Sequence, residues 1–254
     1  MNLTIIGCSG SFAGPASPAS CYLVQAQHEG RTWNLALDIG AGALGTPQQH
    51  IDPRDLDAIV ISHLHPDHCI DLCGLYVVQR YHPEGPSRPL PVYGPTGSGK
   101  RMSEAYGLDD PHAMDREFDY RDLVDRSPLT VGPFTVTPFA VNHPIEAYGV
   151  RVEADGVVLA YTGDTDECDA LTPLMTGADL VLADAAFVEG RDTTPGIHMT
   201  GASCARSAVR AGGVRRLMLT HIPAWNDPEV CRAQATEHWP TKVELAEPGV
   251  TYAL

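Results

Sequence analysis

The stretch Ala58-Ile59-Val60-Ile61-Ser62-His63-Leu64-His65-Pro66-Asp67-His68 decides how this chain is read. Its first four residues are an apolar run, short enough for a buried strand. Ser62 ends the run, and three histidines and an aspartate follow within six positions. His63 and His65, two apart at the end of an extended segment, can turn their imidazoles to one side. Pro66 bends the chain and can open a helix, on which Asp67 and His68 follow. One turn therefore offers four nitrogen or oxygen donors to a small volume. Buried imidazoles and carboxylates need partners, and two divalent cations would satisfy all four.

The same pattern, a strand followed by Asp or His, recurs along the chain. Leu3 to Ile6 reads as a first strand, followed by the small-residue loop Gly7-Cys8-Ser9-Gly10-Ser11, whose amides and hydroxyls suit an anion or a plain turn equally. The N-terminus superficially resembles a lipoprotein cleavage site, but it lacks a charged leading region and reads as that strand. Cys21 to Ala26 and Trp33 to Leu37 are further strands, the second ending at Asp38. Cys69 to Arg80 has helical spacing, 83–91 is a proline-rich loop, and Leu90 to Tyr93 is a short strand. The segment 107–128 reads as surface helix and loop. Leu129 to Val141 accommodates two strands and runs to His143. Asp155-Gly156 is a hairpin signal between Tyr148–Ala154 and Val157–Tyr161. That hairpin leads to Asp164, Leu180 to Ala183 leads to Asp184, and Leu217 to Leu219 leads to His221. The tail from Glu229 reads as one helix and a closing strand. Ligands of layered α/β folds gather at one end of the strands, so Asp38, His63, His143, Asp164, Asp184 and His221 point to one shared site.

Size and composition bound the rest. The 254 residues, 43% hydrophobic and 19% charged, suffice for one large domain or two small ones, and a single domain over 1–254 is expected. A net charge of −15 repels nucleic acid and anionic membrane, so phosphate binding must be local. The seven cysteines form no framework, which suits reduced thiols and a cytoplasmic location; Cys69 and Cys73 read as core residues. No segment is long and apolar enough to span a membrane. Gly94-Pro95-Thr96-Gly97-Ser98-Gly99-Lys100-Arg101 nearly matches a nucleotide-binding loop. Arg101 replaces the hydroxyl that would hold magnesium, and Pro95 removes an amide, so it reads as a strand-to-helix turn.

His63-x-His65-x-Asp67-His68, then His143, Gly163-Asp164 and His221, resembles the metallo-β-lactamase fold in correct order across nearly the whole chain. The resemblance implies an α/β four-layer αβ/βα sandwich and two divalent metal ions, most often Zn2+, with Mn2+ or Fe2+ as alternatives. It implies His63, His65 and His143 on the first metal, Asp67, His68 and His221 on the second, Asp164 bridging, and Asp38 supporting the site from behind. Ala183-Asp184-Ala185-Ala186-Phe187 and His198-Met199-Thr200 are similar to segments of the RNase Z branch, where the acid and histidine work as a pair beside the leaving group. Asp184 stands where Glu is usual, a shorter reach. The nearest resemblance is to the RNase Z-like cyclic-nucleotide phosphodiesterases of bacteria. It implies hydrolysis of 3′,5′-cyclic AMP to 5′-AMP by a metal-bridged hydroxide, with Asp67 orienting the attacking water and His198 and Asp184 serving the leaving oxygen. Ser9, Ser11 and Thr200 are the expected substrate contacts, and Thr200 or Ser203 is also the expected cap of the helix that follows.

Three alternatives stand beside this reading. They are tRNA 3′-end processing, lactone or thioester hydrolysis, and a non-catalytic metal-binding module. The acidic charge and the lack of a basic arm disfavour the tRNA reading. The expected partner is a small phosphodiester, with no nucleic acid and no membrane, and a homodimer is expected. The face carrying Leu72, Tyr76 and Val77 is either that interface or core.

Overall fold

The computed structural model describes residues 1–85 and 87–254. Two seven-stranded sheets face one another. The first contains β1 (Asn2–Gly7), β2 (Cys21–His28), β3 (Arg31–Leu37), β4 (Ala58–Val60), β5 (Leu90–Gly94), β6 (Phe118–Asp122) and β14 (Thr251–Ala253), in the order β14-β1-β2-β3-β4-β5-β6. The second contains β7 (Leu129–Val131), β8 (Phe134–Ala140), β9 (Tyr148–Ala154), β10 (Val157–Tyr161), β11 (Leu180–Asp184), β12 (Leu217–Thr220) and β13 (Val243–Leu245), in the order β13-β12-β11-β10-β9-β8-β7. The strands β3 to β6 run parallel, as do β10 to β13.

Apolar side chains from both sheets, among them Tyr22, Leu37, Val60, Phe134, Val152, Tyr161 and Leu182, fill the space between them. Helices cover the two outer faces. Against the first sheet lie α1 (Pro66–Cys69), α2 (Leu72–Tyr81) and α3 (Ser98–Tyr106); against the second lie α4 (Leu171–Met175), α5 (Gly201–Ala211) and α6 (Pro228–Thr236). The result is the expected four-layer sandwich. Strands β4 and β11 are buried at every position, because a parallel strand inside such a sandwich is covered on both faces.

Differences from the sequence reading have local causes. The helical run expected over 69–80 is broken at Ile70-Asp71. There the loop after β3 wedges in: Ile39 N–H donates to His68 O, and Asp71 N–H donates to Ile39 O. Leu72 and Tyr76 are core, whereas Val77 is 40% exposed. The segment 107–128 is not only helix and loop; Phe118, fully buried, anchors edge strand β6 within it. The tail ends in two strands, β13 and β14, and these close opposite sheets. The near-match to a nucleotide-binding loop is the expected turn between β5 and α3. The proline-rich loop at 83–91 includes Pro86, which lies outside the described residues. The seven cysteines are free thiols, with Cys69 buried and Cys73 half-buried.

Asp155 and Gly156 both adopt positive φ, 52° and 76°, as a two-residue hairpin between right-twisted strands demands. The parallel strands β3, β4, β10, β11 and β12 all end on one edge of the sandwich. The two sheets are stitched there, with Tyr148 N–H donating to Ser62 O at 3.0 Å and a bridge joining Ser9 to Ile222.

Candidate active site

Each strand end on that edge delivers one polar side chain. β3 delivers Asp38, β4 delivers His63, β10 leads to Asp164, β11 ends on Asp184, and β12 leads to His221. His143 follows β8, and His198 precedes α5. Asp38 and His221 hold φ of 59° and 57°, unusual for residues with a side chain, and Ser11 at the site holds 62°. Close packing explains the glycine beside His221: a Cβ on Gly10 would lie 2.1 Å from His221 O.

Two groups of ligand atoms result. In the first, His65 Nδ1 lies 2.9 Å from His63 Nε2 and 3.1 Å from His143 Nε2. The second nitrogens of His63 and His143 donate to Ser62 Oγ (3.1 Å) and Ile197 O (3.0 Å), which assigns lone pairs to both Nε2 atoms. In the second group, His68 Nε2 lies 3.1 Å from His221 Nε2, 3.2 Å from Asp164 Oδ1 and 3.3 Å from Asp67 Oδ2. His68 Nδ1 is taken by Asp38 Oδ2 at 2.7 Å, and His221 Nδ1 lies 3.3 Å from Asp184 Oδ1. Asp164 reaches both groups, with Oδ2 3.7 Å from His63 Nε2 and 3.4 Å from His221 Nε2.

With the imidazoles neutral, such a set is made almost wholly of acceptors pointing at one another. Asp164 Oδ1 is buried and receives no hydrogen bond of good geometry among the described residues. Divalent cations fit that donor set, two imidazole-rich pockets joined by a carboxylate.

The protonation pattern follows. Burial, then the nearby charge of His68, holds His63 well below the usual imidazole range. Burial also lowers His65 and His143. In the second group burial is outweighed. Asp164 and Asp38 hold His68 well above its ordinary value, and Asp164, Asp184 and Asp67 hold His221 up at about 10. Conversely, His221 and His68 hold Asp164 and Asp67 well down against their burial. In the protein alone, protons on His68 and His221 supply the positive charge that this carboxylate pocket requires.

His198 completes the site. Its Nδ1 lies 2.9 Å from Asp184 Oδ2, so the shorter aspartate reaches as far as it needs to. Burial lowers the His198 pKa, but Asp184 and Asp164 outweigh it and raise the pKa overall. His198, Phe187, Ser11, Arg191 and Trp225 line a cavity of about 200 Å³ beside the two histidine and aspartate groups.

The expected substrate contacts separate. Ser11 lines this cavity. Ser9 is buried, with its hydroxyl unpartnered among the described residues, on a neighbouring cavity of about 300 Å³. Thr200 is the N-cap of α5, one of the two caps the sequence offers, its hydroxyl accepting from Ser203 N–H and donating to Glu189. Sequence reasoning did not single out Trp225. The available signal was an aromatic inside the turn-forming run Pro223-Ala224-Trp225-Asn226-Asp227, where no strand or helix periodicity calls for one.

Comparisons with known proteins agree with this architecture. A family model described as a beta-lactamase superfamily domain matches residues 35–222. The uncharacterised protein Rv1339 of Mycobacterium tuberculosis is 42% identical over 233 residues, 90% of this chain and 83% of that protein. The probable metallo-hydrolase YhfI of Bacillus subtilis is 28% identical over 258 residues, 99% of each chain. Its crystal structure superposes with a TM-score of 0.87 at 27% identity, again covering 99% of each. The short form of human tRNase Z shares the fold, with a TM-score of 0.75 at 21% identity over 100% of this chain and 99% of that one.

Proposed function

This chain belongs to the beta-lactamase superfamily and is a metallo-hydrolase of its RNase Z-like branch, and we propose that it hydrolyses a phosphodiester, converting 3′,5′-cyclic AMP to 5′-AMP. One observation carries the reading. His198 has Nδ1 bound to Asp184 and Nε2 without a partner among the described residues, and it lines the cavity next to the ligand cluster. A phosphodiester needs such a group on its leaving side. A thioester needs it less, because a thiolate departs more readily than an alkoxide.

When bound, two divalent ions, most often zinc for this donor set, supply Lewis acidity toward phosphoryl oxygens and make water a better nucleophile. His63, His65 and His143 would hold one ion and Asp67, His68 and His221 the other, with Asp164 shared. The remaining chemistry belongs to side chains. Asp67 directs Oδ2 at His221 and His68, leaving Oδ1 to orient the attacking water and take its proton. The water oxygen forms a bond to phosphorus as the bond from phosphorus to O3′ breaks. His198 Nε2 delivers a proton to O3′, and Asp184 fixes the ring for that transfer. Asp38 positions His68 from behind through a 2.7 Å bond.

The small cavity and the net charge of −15 favour a mononucleotide over a polyanion. The test is turnover of 3′,5′-cyclic AMP by zinc- or manganese-loaded protein, with a precursor tRNA in parallel and His65→Ala as control. Release of 5′-AMP, lost in the variant, is expected. Trimmed tRNA with cyclic AMP intact would overturn the reading.

A further inference from the structure

Trp225 is 66% exposed and Phe12 39% exposed, and their rings pack against one another with centroids 4.8 Å apart and planes tilted by 41°. Trp225 leaves most of its surface in water beside the ligand cluster, and Phe12 more than a third, a large exposed apolar area for a site mouth. Their backbone, however, is fixed. Trp225 sits between Pro223 and Asn226, where Asn226 N–H donates to Pro223 O at 2.8 Å. The Asn226 carboxamide, itself buried, donates to Ala186 O at 2.8 Å. Asp227, one residue on, caps α6. On the other side, Phe12 follows Ser11, which lines the same cavity as Trp225 and His198. The aromatic pair is thus a rigid platform at the mouth of the site, not a loose end of chain.

The same cavity is lined by Arg191, but its guanidinium donates to Asp192 through Nε at 3.0 Å and Nη2 at 2.6 Å. That pair is neutral as a unit and offers no free cation to a polyanion. Phe187, Ile197 and Pro223 give the cavity apolar wall beside the indole, which suits a flat, uncharged group.

We infer that Trp225, backed by Phe12, stacks the nucleobase of the substrate and sets its specificity for a small nucleotide over phosphodiesters without an aromatic base. The inference deepens the phosphodiesterase reading and rests on it for the phosphate that enters the metal site. Stacking on an aromatic side chain tolerates every base, so strong discrimination between purines is not expected from the platform alone.

Binding of 5′-AMP and of ribose 5-phosphate to the metal-loaded full chain, measured by calorimetry, tests it. Wild-type protein should bind 5′-AMP more tightly than ribose 5-phosphate. Trp225→Ala should weaken 5′-AMP by roughly 5- to 150-fold and leave ribose 5-phosphate unchanged. Trp225→Phe should restore most of the loss. Unchanged 5′-AMP affinity in Trp225→Ala, or equal weakening of both ligands, overturns the platform. Failure of the parent reading looks different. Wild-type protein inactive on cyclic AMP, yet binding 5′-AMP in a manner that depends on Trp225, overturns the phosphodiesterase and keeps the platform.

Discussion

Asp184 Oδ2 lies 2.9 Å from His198 Nδ1, while its Oδ1 lies 3.3 Å from His221 Nδ1. One buried carboxylate thus orients both a proposed proton donor and a proposed metal ligand. The two jobs separate by mutation. His198→Ala should lower kcat by about 10²–10⁴-fold with metal content unchanged. Asp184→Asn should lower kcat and also lose metal, because His221 is no longer oriented. Elemental analysis beside steady-state kinetics reads both. Metal loss in His198→Ala would place His198 among the ligands instead.

Asp38 gathers four donors: Ser62 N–H at 2.6 Å, Ser62 Oγ–H at 2.8 Å, Tyr161 Oη–H at 2.8 Å and His68 Nδ1–H at 2.7 Å. Its φ of 59° is one that Asn also tolerates. Asp38→Asn therefore removes the charge without forcing the backbone. It should weaken metal binding by about 10- to 100-fold, measured by competition with a chromogenic chelator. Tyr161→Phe deletes one of the four bonds and should cost about 1 kcal/mol of stability.

Removal of metal should leave a characteristic pH profile. His221, raised to about 10, stabilises the metal-free fold fully below about pH 6.5, and that contribution is lost as pH rises through about 10. Asp164 and Asp67, held low, stabilise it above about pH 4, a contribution lost as pH falls through their depressed values. Metal-free protein should therefore lose Tm steadily from neutrality toward pH 10. Metal-loaded protein should not, since the ion replaces the imidazole protons. Titrating zinc into the metal-free protein in weak buffer at pH 7 should release protons. A Tm that is flat with pH in the metal-free form would contradict the protonated pocket.

Gly10 and Gly40 press on the backbone of proposed ligands. A Cβ would lie 2.1 Å from His221 O in the first case and 1.8 Å from Asp67 O in the second. Neither carbonyl can retreat without moving its own side chain. Gly10→Ala and Gly40→Ala should each destabilise by about 1–3 kcal/mol or more and lose metal, as thermal melts and elemental analysis would report. Gly30→Ala, where a Cβ meets nothing within 4 Å, is the control for a glycine substitution at the surface; its φ of 79° adds only local strain.

Much of this architecture is legible in one dimension. The run from Ala58 to His68 is a local pattern, a strand that stops and a turn that starts, and adjacent residues need no tertiary fold to share a turn. The strands leading to His143, Asp164 and His221 are equally local. Their order matches a known family, which is why the four-layer sandwich and the proposed ligands could be read together.

Other features depend on distance in space. A helical period over 69–80 carries no sign of the loop at Ile39 that splits it, because the interrupting hydrogen bonds come from 30 residues away, as in Ile39 N–H to His68 O and Asp71 N–H to Ile39 O. A hydroxyl at Thr200 looks equally fit for a ligand or a helix cap until Ser203 and Glu189 are seen to occupy it. Trp225 has no periodic partner in sequence, and only folding sets it against Phe12 and over the same cavity as His198. By itself, then, the sequence determined which chemical groups stand at strand ends, since local periodicity encodes that. Only the tertiary structure decided which groups are spent on the fold and which are left facing a ligand, because that depends on partners that the chain brings together through long-range packing.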